Sequence, residues 1–245
     1  MATPNTSKLK TMLSSLRPGR PVIAKELAAL GITKYLVVHY VRAGWLERLA
    51  RGVYRRPGET LALSPSLTVL EALYDGLHVG GISALDWHGV RQYVIAHPTI
   101  QLYGAHSALL PSWFTDRFAA DYHRKRIFDE VDAEPTRVHR FGEGPEKPLV
   151  SDPERAWLEL LSDVGVRHTL QEARELAEGA YTLRSAVLTE LLKRCTSIKT
   201  VRLCLQLGRE AQSPWFEKLP IDELPTGSSA PWVAKTADGL LVLPP

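Results

Sequence analysis

Cysteine, methionine and phenylalanine are scarce in this chain, at two, two and five residues out of 245. Cys195 and Cys204 stand in a stretch of helical periodicity with no second cysteine pair. That excludes a disulfide framework and a zinc ribbon, and both read as buried thiols. No apolar run approaches the roughly eighteen residues of a membrane span, and the opening MATPNTSKLKTML has no signal-peptide core, so the expected location is cytoplasmic, with no membrane partner. Catalytic spacings are missing too. There is no Asp-x-Lys or Glu-x-Lys of the restriction-nuclease kind. The histidines at 39, 78, 88, 97, 106, 123, 139 and 168 never fall in an HExxH spacing, so they read as isolated surface or core residues, and neither metal nor cofactor is expected. Gly80-Gly81 invites a phosphate-loop reading, but no Lys-Ser or Lys-Thr follows at the required distance. Ser83, Asp86 and His88 share one short helical stretch, whereas a catalytic triad draws on separate elements, so packing and capping are their expected roles. The chain is not expected to be an enzyme.

Carboxylates are missing from one end. Residues 1–58 carry eleven Lys and Arg against Glu26 and Glu47 alone, a local charge of +9, although the whole chain is only +3. The rest is therefore acidic, at −6. A small basic head on an acidic body points to a polyanionic partner, nucleic acid first.

What is present is 44% hydrophobic composition, enough for packed cores. The stretch Pro21 to Pro57 has the outline of a winged helix-turn-helix. Leu9, Met12, Leu13 and Leu16 give a first amphipathic helix over Thr6 to Leu16. A second helix is expected over Val22 to Leu30, with small Ala24, Ala28 and Ala29 allowing close approach, a turn at Gly31 and Ile32 plugging the core. Thr33 caps a third helix over Lys34 to Ala43, and Gly44 stops it. At 100° per residue, Leu36, Val37, Tyr40, Val41 and Ala43 form a packing arc, while Lys34, Tyr35, Val38, His39 and Arg42 form a free arc without a carboxylate. Trp45 to Leu49 and Val53 to Arg56, joined through Ala50-Arg51-Gly52, make the wing. The expected DNA-binding residues are Lys34, Tyr35, His39 and Arg42 in the major groove, and Arg48, Arg51, Arg55 and Arg56 on backbone or minor groove.

Pro57 to Pro65 reads as a linker, which sets a DNA-binding domain at 1–58 and a C-terminal domain at 59–245. Within the latter, a sheet-containing part spans about 66–147, a helical part about 151–212, and a hairpin follows. A helix is expected over Ser66 to Tyr74 and a short one between Gly80-Gly81 and Gly89. From Val94 the pattern turns to strands, at Thr99 to Tyr103, Trp113 to Phe118, Tyr122 to Phe128 and Thr136 to Phe141, with little room between them for long helices, so a mostly antiparallel sheet is expected. His123-Arg-Lys-Arg126 reads as a protected sheet edge. Phe141 to Pro148 reads as a second linker. Helices over Ser151 to Val164, Thr169 to Glu178, Leu183 to Arg194 and Ile198 to Leu207 make a bundle with Cys204 inside. Trp232 to Lys235 and Leu240 to Leu243 bracket a hairpin turn at Ala237-Asp-Gly239. The fold class is α+β.

Four segments together resemble the AbiEi-type antitoxins of abortive-infection toxin–antitoxin systems: Arg51-Gly-Val-Tyr54, Val79-Gly-Gly-Ile-Ser-Ala-Leu-Asp-Trp-His-Gly89, the helix Ser151 to Val164, and Trp232-Val-Ala-Lys with a late Val-Leu-Pro. The resemblance covers most of the chain. It implies a repressor that binds operator DNA of its own operon through the N-terminal domain and counteracts a nucleotidyltransferase-like toxin through the larger C-terminal region. Lys34 to Ala43 is then the groove-reading helix and Trp45 to Arg56 the wing. A winged-helix nucleic-acid enzyme with an unrecognised active site, or a ligand-sensing transcription factor, remains as an alternative.

Overall fold

The computed structural model describes residues 4–90, 99–129, 135–236 and 239–245. The chain opens with helix α1 (Pro4–Ser15), strand β1 (Val22–Ile23), helices α2 (Ala24–Ala29) and α3 (Lys34–Arg42), strands β2 (Glu47–Ala50) and β3 (Val53–Arg55), and helix α4 (Leu63–Leu73). It continues through β4 (His78–Val79), α5 (Gly81–Trp87), β5 (Ile100–Gly104), α6 (Ser112–Thr115), β6 (Ala120–Arg124), β7 (Val138–Arg140) and β8 (Leu149–Ser151). Helices α7 (Pro153–Asp163), α8 (Leu170–Gly179), α9 (Ser185–Lys193) and α10 (Ile198–Glu210) follow, then strands β9 (Trp232–Thr236) and β10 (Gly239–Leu243). The class is mixed α+β. Two compact units emerge: one takes Met1–Tyr74, Leu109–Ala119 and Phe141–Pro148, the other Asp75–Ala108, Ala120–Arg140 and Leu149–Pro245. His97 and the turn residues Ala237 and Asp238 lie outside the described residues.

In the first unit, Met12 and Leu16 of α1 join Val22, Leu27, Ile32, Val37, Tyr40 and Leu46 in one buried core. Gly31 adopts φ +74°, which reverses the chain and delivers Ile32 to that core. The expected helix over Val22 to Leu30 is shorter. Val22 and Ile23, both β-branched, pair instead with Tyr54 and Val53, so the sheet has three strands in the order β1-β3-β2. Ala24, Ala28 and Ala29 are exposed rather than packed. The strand expected over Trp113 to Phe118 is the helical turn α6 and its continuation: Phe118 N donates to Phe114 O at 2.8 Å, and the two rings stand 5.1 Å apart, a pairing that needs i,i+4 spacing. The segment read as a second linker also belongs to this unit. Its Glu146 accepts hydrogen bonds from Arg17 and from the Thr68 hydroxyl.

The second unit is built on a five-stranded sheet in the order β6-β5-β4-β8-β7. It is mixed, not mostly antiparallel: β5 with β6 and β4 with β8 run parallel, while β4 with β5 and β7 with β8 run antiparallel. Closely spaced strands with little room for long helices between them suggest antiparallel pairing, yet the stretch between Gly104 and Ala120 is long enough for a parallel crossover. Strand β6 ends at Arg124, short of the expected Phe128. Helix α7 lies in the interior, every residue from Glu154 to Asp163 buried, packed against α5, α9 and α10. Cys204 and Cys195 are both buried thiols, and burial pushes Cys195 up to about 11. The closing hairpin pairs Trp232 with Leu243.

Candidate nucleic-acid interface

Helix α3 starts where Thr33 Oγ1 accepts the Leu36 amide at 3.4 Å and stops before Gly44, at φ +74°. Val37 and Tyr40 are buried, and Leu36 and Val41 half-buried. The opposite arc, Lys34, Tyr35, Val38, His39 and Arg42, is exposed, Tyr35 at 81% and Val38 at 49%. Ala43, expected to pack, is exposed too, because it lies one residue past the helical end. Among the described residues, the side chains of Lys34 and Arg42 have no ion pair or hydrogen bond. The first turn holds no acid.

Strands β2 and β3 form a hairpin turning at Arg51-Gly52, with Gly52 at φ +78° and an irregularity between Arg48 and Ala50. Arg48 Nε donates to the Ala50 carbonyl at 3.3 Å, and Arg51 stands exposed without a partner among the described residues. Arg55 is engaged differently. Its Nε and Nη2 donate to the two oxygens of Glu47, directly across the hairpin, at 2.9 and 2.7 Å, and Nη1 donates to the Glu59 carbonyl at 3.2 Å. This bidentate bond lowers the Glu47 pKa and raises that of Arg55. Arg56 faces Glu59 at 3.6 Å.

The basic head is therefore less cationic than its sequence segment. Arg20 donates to Glu26 at 2.6 Å and lies 3.2 Å from Glu146, which also pairs with Arg17. Burial opposes ionisation of Glu146, yet Arg20, Thr68 and Arg17 together outweigh it and hold the carboxyl below its usual range. Glu59 and Glu146 fall outside the first 58 residues, which is why a count by segment misses them. Within residues 1–58 the described cations without a carboxylate partner among the described residues are Lys8, Lys10, Lys25, Lys34, Arg42, Arg48 and Arg51.

The second unit holds a buried ionic network that the sequence reading missed. On α7, Glu159 accepts from His78 Nε2 at 2.9 Å, Arg155 Nε at 2.7 Å, Ser151 Oγ at 2.9 Å and Gly81 N at 3.2 Å. One turn on, Asp163 meets His123 Nδ1 at 2.5 Å, Tyr103 Oη at 3.0 Å and Lys125 Nζ at 2.7 Å. Burial disfavours both charges, but His78 and Arg155 bring Glu159 down to about 2, and His123 and Lys125 hold Asp163 well below its usual range. His78 and His123 are thus not isolated, as expected, but paired. His123 and Lys125 also give the edge strand an internal task. The signal was available: two acids four apart inside the apolar pattern Trp157, Leu158, Leu160 and Leu161. The amide of Gly81 does meet an anion, one supplied by the chain itself, whereas that of Gly80 donates to the Gln101 carbonyl. Ser83 and His88 have the packing roles expected: Ser83 Oγ accepts the Gln101 amide at 2.9 Å, and His88 Nε2 bonds the Ser151 carbonyl at 2.9 Å. A cavity of about 260 Å³ beside the network is lined by His78, Tyr103, Lys125, Arg126 and Glu159 among others. Glu159 and Asp163 are committed to these neighbours as ionised acceptors, which is the chemistry of a structural clamp.

An α+β chain with an exposed, acid-free helix face on one unit and an ion-clamped interior helix in the other is a two-unit protein whose smaller part is suited to a polyanion. Two family models cover it. One, described as a transcriptional regulator, AbiEi antitoxin of type IV toxin–antitoxin systems, matches residues 97–243. The other, the AbiEi antitoxin N-terminal domain, matches residues 5–96. The chain belongs to the AbiEi antitoxin family of transcriptional regulators. No curated protein matches its sequence. The crystal structure of the RV2827C protein from Mycobacterium tuberculosis is similar with a TM-score of 0.52, over 96% of this chain and 90% of that one, at 14% identity. At that identity the likeness is one of fold. No helix among the described residues is long and apolar enough to cross a membrane.

Proposed function

We propose that the first unit is a winged helix-turn-helix that binds operator DNA and represses its own operon, and that the remainder counteracts a nucleotidyltransferase-like toxin. The observation that carries the DNA-binding part is the exposed arc of α3, where Lys34, Tyr35, His39 and Arg42 present donors and Lys34 and Arg42 are spoken for by no carboxylate. In this reading α3 enters the major groove and the hairpin β2–β3 is the wing. Arg48 and Arg51 meet phosphate or the minor groove. Arg55 and Arg56 add positive field, and Arg55 holds the wing's two strands in register through Glu47. Family membership supports the regulatory and antitoxic roles.

Arg42 is the sharpest test. A guanidinium reading a guanine edge is worth about 1–3 kcal/mol of discrimination. Arg42→Ala should therefore weaken binding to DNA from the promoter of its own operon much more than to random duplex at the same salt, in a gel shift. Equal losses on both would remove base reading by Arg42.

A further inference from the structure

The arc that α3 presents has an apolar centre. Val38 lies four residues from Lys34 on one side and from Arg42 on the other, and three from Tyr35, so it occupies the middle of the face. From Lys34 to Arg42 the helix rises about 12 Å, the length of roughly three to four stacked base pairs. A single exposed valine is ordinary on a protein surface. This one sits between two unpaired cations, half exposed at 49%, and a β-branched residue is a poorer choice there for the helix itself than alanine. Its isopropyl group offers neither donor nor acceptor, so it answers neither phosphate nor a polar base edge. In the major groove the one apolar feature of a base pair is the 5-methyl of thymine.

We propose that Val38 reads a thymine methyl in the operator, between positions contacted by Lys34 and Arg42. The inference rests on the DNA-binding reading above and adds a base to it. It makes the recognition face a cation–apolar–cation pattern, with thymine in the middle and the polar edges of guanine or adenine on the flanks.

Deoxyuridine tests this cleanly, because replacing thymine with uracil removes the methyl and leaves every hydrogen-bonding group in place. Duplexes would be selected by the native full-length chain from a random-sequence pool, then resynthesised with uracil at one thymine at a time. For the native protein, a thymine between the positions contacted by Lys34 and Arg42 should show a loss of about fourfold, the value of one buried methyl-sized group. Val38→Ala, which keeps the helix and whose folding is checked by its melting curve, should bind the thymine and uracil duplexes equally at that position. Val38→Thr, which keeps one methyl of nearly the same shape, should retain part of the discrimination. If no thymine is sensitive, or if Val38→Ala stays as sensitive as the native chain, the assignment to Val38 is overturned while Arg42-dependent selectivity survives. If selection yields no preferred sequence at all, the underlying DNA-reading proposal fails, and this one with it.

Discussion

Two glycines show how differently one residue type can be required. Gly31 stands at φ +74° with nothing within 4 Å of where a Cβ would be, so Gly31→Ala meets only backbone strain. That costs about 1 kcal/mol. Gly80 has no such backbone demand, but a Cβ there would lie 2.6 Å from the Tyr103 ring and collide with the Glu159 carboxylate. Neither neighbour is free to give: both are nearly fully buried and hydrogen-bonded. We expect Gly80→Ala to destabilise by about 3 kcal/mol, the upper end for overpacking a filled site. Urea unfolding of both variants checks this. A Gly80→Ala loss no larger than that of Gly31→Ala would mean that the Glu159 clamp gives way cheaply.

At the scale of elements, α7 organises the second unit. Pro153 opens it, and Lys199 Nζ closes it by donating to the carbonyls of Ser162 at 2.7 Å and Val164 at 2.9 Å. Burial, with Lys125 nearby, brings that ammonium down to about 8. Between those ends Glu159 and Asp163 are held ionised by His78 and Arg155 and by His123 and Lys125. Breaking such a pair on one side leaves the other charges buried and uncompensated, so Glu159→Gln should cost about 3–5 kcal/mol. The pH dependence has a definite sign. Glu159 titrates at about 2 in the folded chain against 4.5 ordinarily, so its contribution is complete above 4.5 and is lost as pH falls toward 2. Stability measured from pH 6 to 2.5 should decline in that window, and the Glu159→Gln variant should decline less steeply. Parallel curves would assign the acid sensitivity elsewhere. The existence and limits of α7 were legible from Ser151-Asp-Pro-Glu154 and the apolar periodicity that follows. Its partners were not, since His78 and His123 come from strands far away in sequence, and no local pattern records who neutralises a buried acid. The strand expected at α6 has a different origin. Trp113 to Phe118 is rich in aromatic residues, which favour strands, although the i,i+4 spacing of Phe114 and Phe118 and the burial of the adjacent Trp113 and Phe114 go with a helix.

On the scale of the whole molecule, the third helix and the hairpin could be read almost residue by residue, because Thr33, Gly44 and Gly52 punctuate them locally. The charge of the head could not be read that way. Beyond Glu26 and Glu47, its arginines are met by Glu59 and Glu146, and the first unit gathers three separate stretches of chain. That has a practical consequence for the proposed division of labour. A fragment cut at residue 58 would separate α4, α6 and the Phe141–Pro148 segment from the rest of the same compact unit, and its failure would say nothing about antitoxicity. The division is better tested in the intact chain, by removing cations that have no structural partner. Lys34→Ala, Arg42→Ala and Arg51→Ala together break no ion pair or hydrogen bond among the described residues, so the melting temperature should hold. Each cation lost from a phosphate contact lowers the slope of log K against log salt by about 1, and the triple variant should bind operator DNA with a flatter salt dependence and little sequence preference. Co-expressed with the proposed nucleotidyltransferase-like toxin, the same variant should still restore growth to the level of the native chain. If growth is not restored while the protein stays folded and abundant, neutralisation requires the DNA-binding face, and the two activities are one.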